Sequence, residues 1–171
     1  MGLSERVSFF QANCKAPFSL PLNKFDAALS IDVILHLRDR SRFLSQVSRV
    51  LKPSGTFIFT DAGIITGTMT DEERERRILF GHTEFVHQGV NEEVIKRAGL
   101  GIINVVDSTN QLIANAAARL RARHILSKGL QALEGAETFN KQITYLDTVV
   151  DLAERRVLSR FTHITKSLGL Y

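Results

Sequence analysis

The sequence predicts an α/β fold layered on a largely parallel sheet. Over the first hundred residues short apolar runs alternate with amphipathic segments, the order expected of strands joined by helices. The run Phe25–Ile31 has no polar alternation beyond Asp26, the pattern of a central strand covered on both faces. Finally, 171 residues that are 44% hydrophobic and 23% charged suit one domain, 1–171, with a core of its own.

Val7–Ala12 is the first strand candidate, followed by an irregular connection from Asn13 to Lys24 that holds two of the three prolines. Phe25–Ile31 is the second. Ser41–Leu51 places Phe43, Leu44, Val47, Val50 and Leu51 on one helical face, and Lys52-Pro53-Ser54-Gly55 stops that helix. Thr56–Thr60 reads as the third strand, ended by a turn at Asp61 and Gly63. A helix over Met69–Gly81 is capped by Thr70 and carries Asp71, Glu72 and Glu73 where the helix dipole favours negative charge. Asn91–Ala98 forms a helix closed by Gly99, and Leu100–Asp107 a fourth strand. Residues 110–134 and 137–154 read as a helical hairpin joined near Gly135, with Leu112, Ala116 and Leu120 on its buried side. Val157–Lys166 closes the sheet.

Composition excludes several classes of protein. A single cysteine, Cys14, cannot form an internal disulfide, no Cys/His spacing suits a metal, and a reducing, cytoplasmic setting is expected. No apolar run approaches the roughly 18 residues of a membrane span, so no membrane association is expected. Twenty-two Lys and Arg against 18 Asp and Glu leave +4, which does not by itself point to nucleic acid. Arg119, Arg121, Arg123, His124 and Lys128 gather on one helix without interleaved aromatics, so they read as a solvated face or a site for an acidic partner.

Two stretches, Phe25 to Leu37 and Arg49-Val50-Leu51-Lys52-Pro53-Ser54-Gly55 leading into Phe57–Asp61, resemble class I S-adenosylmethionine (SAM) dependent methyltransferases. The turn departs once from the family pattern, with Ser54 for a glycine. Asp107-Ser108-Thr109, and Leu158-Ser159-Arg160 before Ile164-Thr165-Lys166, resemble the late sheet of small-molecule members, and Leu3 to Val7 the lead into an earlier strand. The resemblance implies a partial Rossmann-like sheet with a helical insertion at about 110–155 before an antiparallel last strand. The family's glycine-rich turn and its acidic ribose clamp have no counterpart here, so an amino-terminally truncated domain is expected. Weak or absent SAM binding by the chain alone follows, as does an unpaired apolar edge at Phe25–Ile31 that invites a homo-oligomer.

Ser30 to Leu37 most resembles phosphoethanolamine-type N-methyltransferases, whose loop carries an Asp and, four residues on, a His. The resemblance makes His36 the candidate general base and Asp32 a group that positions it or the substrate. Taken alone, the residues read rather as a helix cap and a surface or satisfied core histidine. Asn13, Cys14 and Ile31 stand where the family meets its cofactor. Ala62 occupies a position where a phosphate-binding tyrosine is expected, and only Tyr145 and Tyr171 are present, which argues for a small amine or hydroxyl acceptor rather than a phosphobase. Phe80, His82, Phe85 and His87 fall in the segment that would cover the acceptor, with His87 a substrate-binding candidate, although phenylalanines also commonly serve the core. Two functions follow from different classes: a SAM-dependent methyltransferase, and a non-catalytic module that keeps the fold for association.

Overall fold

The computed structural model describes residues 5–14 and 16–169; Leu3, Ser4 and Tyr171, named above, lie outside them. Their element order is β1 (Phe25–Ile31), a 3-10 turn (Ile34–His36), α1 (Arg40–Val50), β2 (Leu51–Ile65), α2 (Asp71–Arg77) and β3 (Val86–His87). There follow α3 (Val90–Arg97), β4 (Leu100–Asp107), α4 (Thr109–Ile125), α5 (Ser127–Glu134), α6 (Ala136–Glu154) and β5 (Leu158–Ser167). The sheet runs β1-β2-β5-β4, with β3 paired to the far end of β2. β1 and β2 are parallel, joined through α1, while β5 is antiparallel to both β2 and β4, as expected for the last strand. This is an α/β sheet with three helices inserted before its final strand.

One face of the sheet is closed by α1 and α3. Phe43, Leu44 and Val47 of α1 and Ile95 of α3 pack on Phe57 and Phe59 of β2, and Leu100 of β4 completes that core. The α4–α6 hairpin has a core of its own in Ala116, Leu146 and Val149, with Leu112 and Leu120 partly buried against it. It joins the sheet where Leu152, Val157 and Leu158 meet Ile65, Met69 and Phe85.

Several expectations are corrected. Val7–Ala12 forms no strand: it finds no neighbouring chain to complete a ladder, and Phe9 remains 93% exposed. β1 is an edge strand rather than a central one. Its Ala28 and Ser30 turn toward the covered face, while Leu29 and Ile31 are 66% and 58% exposed on the other. β2 is longer than Thr56–Thr60 at both ends, because its turn-forming residues bulge the strand instead of ending it. At Lys52–Gly55 the register jumps from Phe25 opposite Leu51 to Ala27 opposite Thr56, and Ser54 takes a left-handed φ of 63°. A side chain at Gly55 would meet the Lys52 carbonyl oxygen at 2.9 Å, so only glycine closes this bulge. At Asp61–Gly63 the carboxylate accepts from the Gly63 amide at 2.8 Å while the pairing with β5 slips, and the strand continues to Ile65. The helix expected over 110–134 breaks at Leu126, where Arg123 pairs with Glu134 and stacks over Phe139, folding α5 back on α6.

Candidate functional site

β1 ends at Ile31 beside Thr60 of the longer β2, and the groups of interest collect there, on the carboxyl-end side of the parallel pair where α/β sheets bind ligands. Asp32 leaves β1 in a left-handed conformation, φ 50°, which aspartate tolerates better than branched residues. Its amide donates to Thr60 Oγ1 at 2.9 Å, and its Oδ1 accepts from the Thr60 hydroxyl at 2.8 Å and from Arg160 Nε at 3.0 Å. Arg160 also donates to Thr60 Oγ1 at 3.1 Å. Three strands therefore contribute to one polar cluster, and Asp32 is fastened to Thr60 and Arg160 rather than to His36.

His36 ends the 3-10 turn, whose Ile34 and Leu35 are buried and fix its backbone. Its Nδ1 lies 2.8 Å from the His82 carbonyl oxygen. A carbonyl can only accept, so Nδ1 carries the proton and the neutral ring keeps its lone pair on Nε2. His82 in turn places Nε2 3.0 Å from Glu84 Oε2.

Asp32 and His36 line the same crevice of about 400 Å³, together with Ile31 and Ala62. Arg77 of α2, Arg119 of α4, Tyr145 of α6 and Arg160 of β5 supply its other polar walls. The arginines and Tyr145 were not read from the sequence as one site. Arg77 appeared only as part of a charged helix and Arg119 as part of a basic one, and nothing in chain order marks their meeting across the fold. His87 sits in β3, paired with Ile65, and is not among the residues lining this crevice.

A second crevice of about 400 Å³ is lined by Cys14, Leu37, Asp39, Arg42 and His82. The His36–His82 contact thus joins a residue of the first crevice to one of the second. Of the cofactor-contact candidates, Ile31 lines the first crevice and Cys14 the second. Asn13 is exposed, its carbonyl accepting from the Ala16 amide at 2.9 Å. This donor set fits part of an adenosyl amino acid: Asp39 and Arg42 offer charge of both signs beside the apolar Leu37. Neither crevice, however, has a glycine among its described lining residues, so neither offers the close backbone approach that such a ligand uses.

Behind the site, Arg40 pairs with Asp61, and Asn91 bridges both, donating to Asp61 Oδ2 and accepting from Arg40 Nη1 at 2.9 Å each. Arg40 also donates to the Glu84 carbonyl, tying the segment that holds His82 to α1.

Comparisons with known proteins agree with this architecture. Residues 2–59 match the methyltransferase domain family. A dimethylglycine N-methyltransferase of Parasynechococcus marenigrum is 40% identical over 62 residues, covering 35% of this chain and 21% of that protein. A glycine/sarcosine/dimethylglycine N-methyltransferase of Actinopolyspora halophila is 54% identical over 39 residues, 23% of this chain and 7% of that protein. The chain thus spans a minor part of the length of these relatives. Among solved structures, that of a putative sarcosine dimethylglycine methyltransferase from Galdieria sulphuraria superposes with a TM-score of 0.86 at 16% identity, covering 99% of this chain and 62% of its own. Phosphoethanolamine N-methyltransferase 2 of Haemonchus contortus, in complex with SAM, gives 0.79 at 18% identity over 88% of this chain and 35% of its own. The fold of this chain, and the domain matched by its residues 2–59, are those of the class I SAM-dependent methyltransferases.

Proposed function

We propose that this chain forms the acceptor side of a SAM-dependent methyltransferase acting on a small amine or hydroxyl compound, with His36 as general base. The observation that carries the reading is the His36 tautomer: Nδ1–H is committed to the His82 carbonyl, so Nε2 is the basic atom on a ring that lines the crevice. SAM, when bound, supplies an electrophilic methyl group; Ile31, Asn13 and Cys14 are the residues that would hold it. His36 Nε2 takes the proton from the acceptor's ammonium or hydroxyl group. This frees the lone pair that bonds to the methyl carbon, while the carbon–sulfur bond breaks and its electron pair stays on the departing thioether sulfur. Asp32, held by Thr60 and Arg160, orients the acceptor beside it. Relatives whose names give glycine, sarcosine and dimethylglycine as acceptors support an amine.

Methyl transfer from labelled SAM to a panel of small amines and alcohols tests this. In an active full-length form, His36→Ala should lower turnover about 10²- to 10⁴-fold. A rate near that of the parent protein would leave His36 a structural role.

A second reading, an association module, has its own support in the unpaired β1 edge and the exposed Leu29 and Ile31. It expects a homo-oligomer through that edge and no transfer.

A further inference from the structure

We propose that the crevice is built for an acceptor that carries an anionic group, a carboxylate or a phosphate, held by Arg77 and Arg119. The inference rests on the reading of this crevice as the acceptor site and names the chemistry of what enters it. Its starting point is the balance of charge along the walls. Arg77, Arg119 and Arg160 bring three positive charges, and Asp32 is the one carboxylate among the lining residues. Asp32 is matched to Arg160, which leaves two guanidinium groups without a counter-charge.

Arg77 is the more telling of the two. It is only 5% exposed, yet its hydrogen-bond partner is a neutral phenol: Nη1 donates to the Tyr145 hydroxyl at 2.9 Å, and the guanidinium lies 5.0 Å from the centre of that ring. Among the described residues no carboxylate pairs with it, whereas the other deeply buried arginine, Arg40, has Asp61. A buried guanidinium with no counter-ion is costly in a folded protein and is relieved when an anion accepts its remaining N–H groups. Tyr145 holds Arg77 at the wall of the crevice, and a guanidinium fork of this kind matches the two oxygens of a carboxylate or phosphate.

Arg119 stands on the same cavity from α4 and makes no ion pair with a described residue. A neighbouring hollow of about 230 Å³ shares Arg77, Arg119, Tyr145 and His36, so the cationic pair lies where two cavities meet beside the base. Asp32 Oδ2, which accepts no hydrogen bond from a described residue, supplies the complementary negative point for an amine. An acceptor with an amine toward Asp32 and His36 and an anion toward Arg77 and Arg119 satisfies both ends.

Calorimetric titration of the 171-residue chain, without cofactor, tests this with three probes: N,N-dimethylglycine for the carboxylate, phosphoethanolamine for the phosphate and 2-dimethylaminoethanol for an amine with no anion. At least one anionic probe should bind about tenfold more tightly than dimethylaminoethanol, and the tighter of the two identifies the anion. Arg119→Gln, an exposed substitution that leaves packing alone, should weaken that probe about tenfold, the loss expected of a charge-assisted hydrogen bond. Arg121→Gln, the same charge change on the same helix away from the crevice, should leave binding unchanged. Arg77→Gln should abolish the preference, with the thermal transition followed as a check on folding. Equal binding of all three probes, binding of none, or an equal loss in Arg121→Gln overturns the proposal. Binding of the anion by a form that also binds SAM yet transfers no methyl group would refute the catalytic reading and keep this one. Methylation without preference for anionic acceptors would do the reverse.

Discussion

His163 is the histidine most completely enclosed by the sheet, at 1% exposure, with its ring stacked on Phe59 at 4.6 Å. Burial pushes its pKa below the ordinary 6.5, and the Glu92 carboxylate, 3.1 Å from Nε2, only partly opposes this. As pH falls through 6.5 the unfolded chain takes up a proton that the native ring resists. The stability contributed by the neutral ring is therefore complete above pH 6.5 and declines as pH drops toward the lower native value. The melting temperature should fall between pH 7 and pH 5.5, and fall less in His163→Phe. The other histidines are common to both proteins and cancel in the comparison, so equal pH slopes would contradict the assignment.

At the next scale up, α1, β2 and α3 are pinned together by Arg40, Asp61 and Asn91, with Arg40 5% and Asp61 0% exposed. Removing one partner strands a buried charge, so Asp61→Leu should cost about 3 to 5 kcal/mol in denaturant unfolding. Pairing it with Arg40→Met should restore part of that loss; a double variant no better than the single would place the cost in the Gly63 and Asn91 contacts instead. These elements also show what was legible in the chain. β1 and β4 match their expected ranges residue for residue, because uninterrupted apolar runs bounded by turn residues are local signals. Lys52–Gly55 does stop α1, which ends at Val50, but nothing local shows that β2 already runs through it as a bulge, and Asp61–Gly63 does not end that strand; the same residues build a turn and a bulge, and only the neighbouring strand decides which. For the site, Asp32 and His36 were marked by their spacing and by family resemblance. The backbone carbonyl of His82 and the guanidinium of Arg77 were not, because their roles depend on chain segments 46 and 68 residues away.

For the molecule as a whole, the uneven covering of the sheet matters most. α1 and α3 close one face, while Leu29, Ile58 and Ile164 stand in register across the other, and among the described residues no strand pairs with the outer edge of β1. Such an edge is a template for another strand. Light scattering should therefore report a mass above that of the 19.1 kDa chain, and Leu29→Lys should return it to the monomer with the melting temperature unchanged. A monomer at every concentration would remove the association reading. The sheet's strand order also has a consequence in time. β5 lies between β2 and β4, yet β4 is synthesised first and then waits for α4, α5 and α6 to follow. During translation β4 has no ladder to join and the hydrogen-bonding side of β2 that faces it stays empty, so the sheet closes only by threading its final strand into the gap between them. Folding is then slow relative to a chain of local contacts, with two unsatisfied strand edges exposed until β5 has been made.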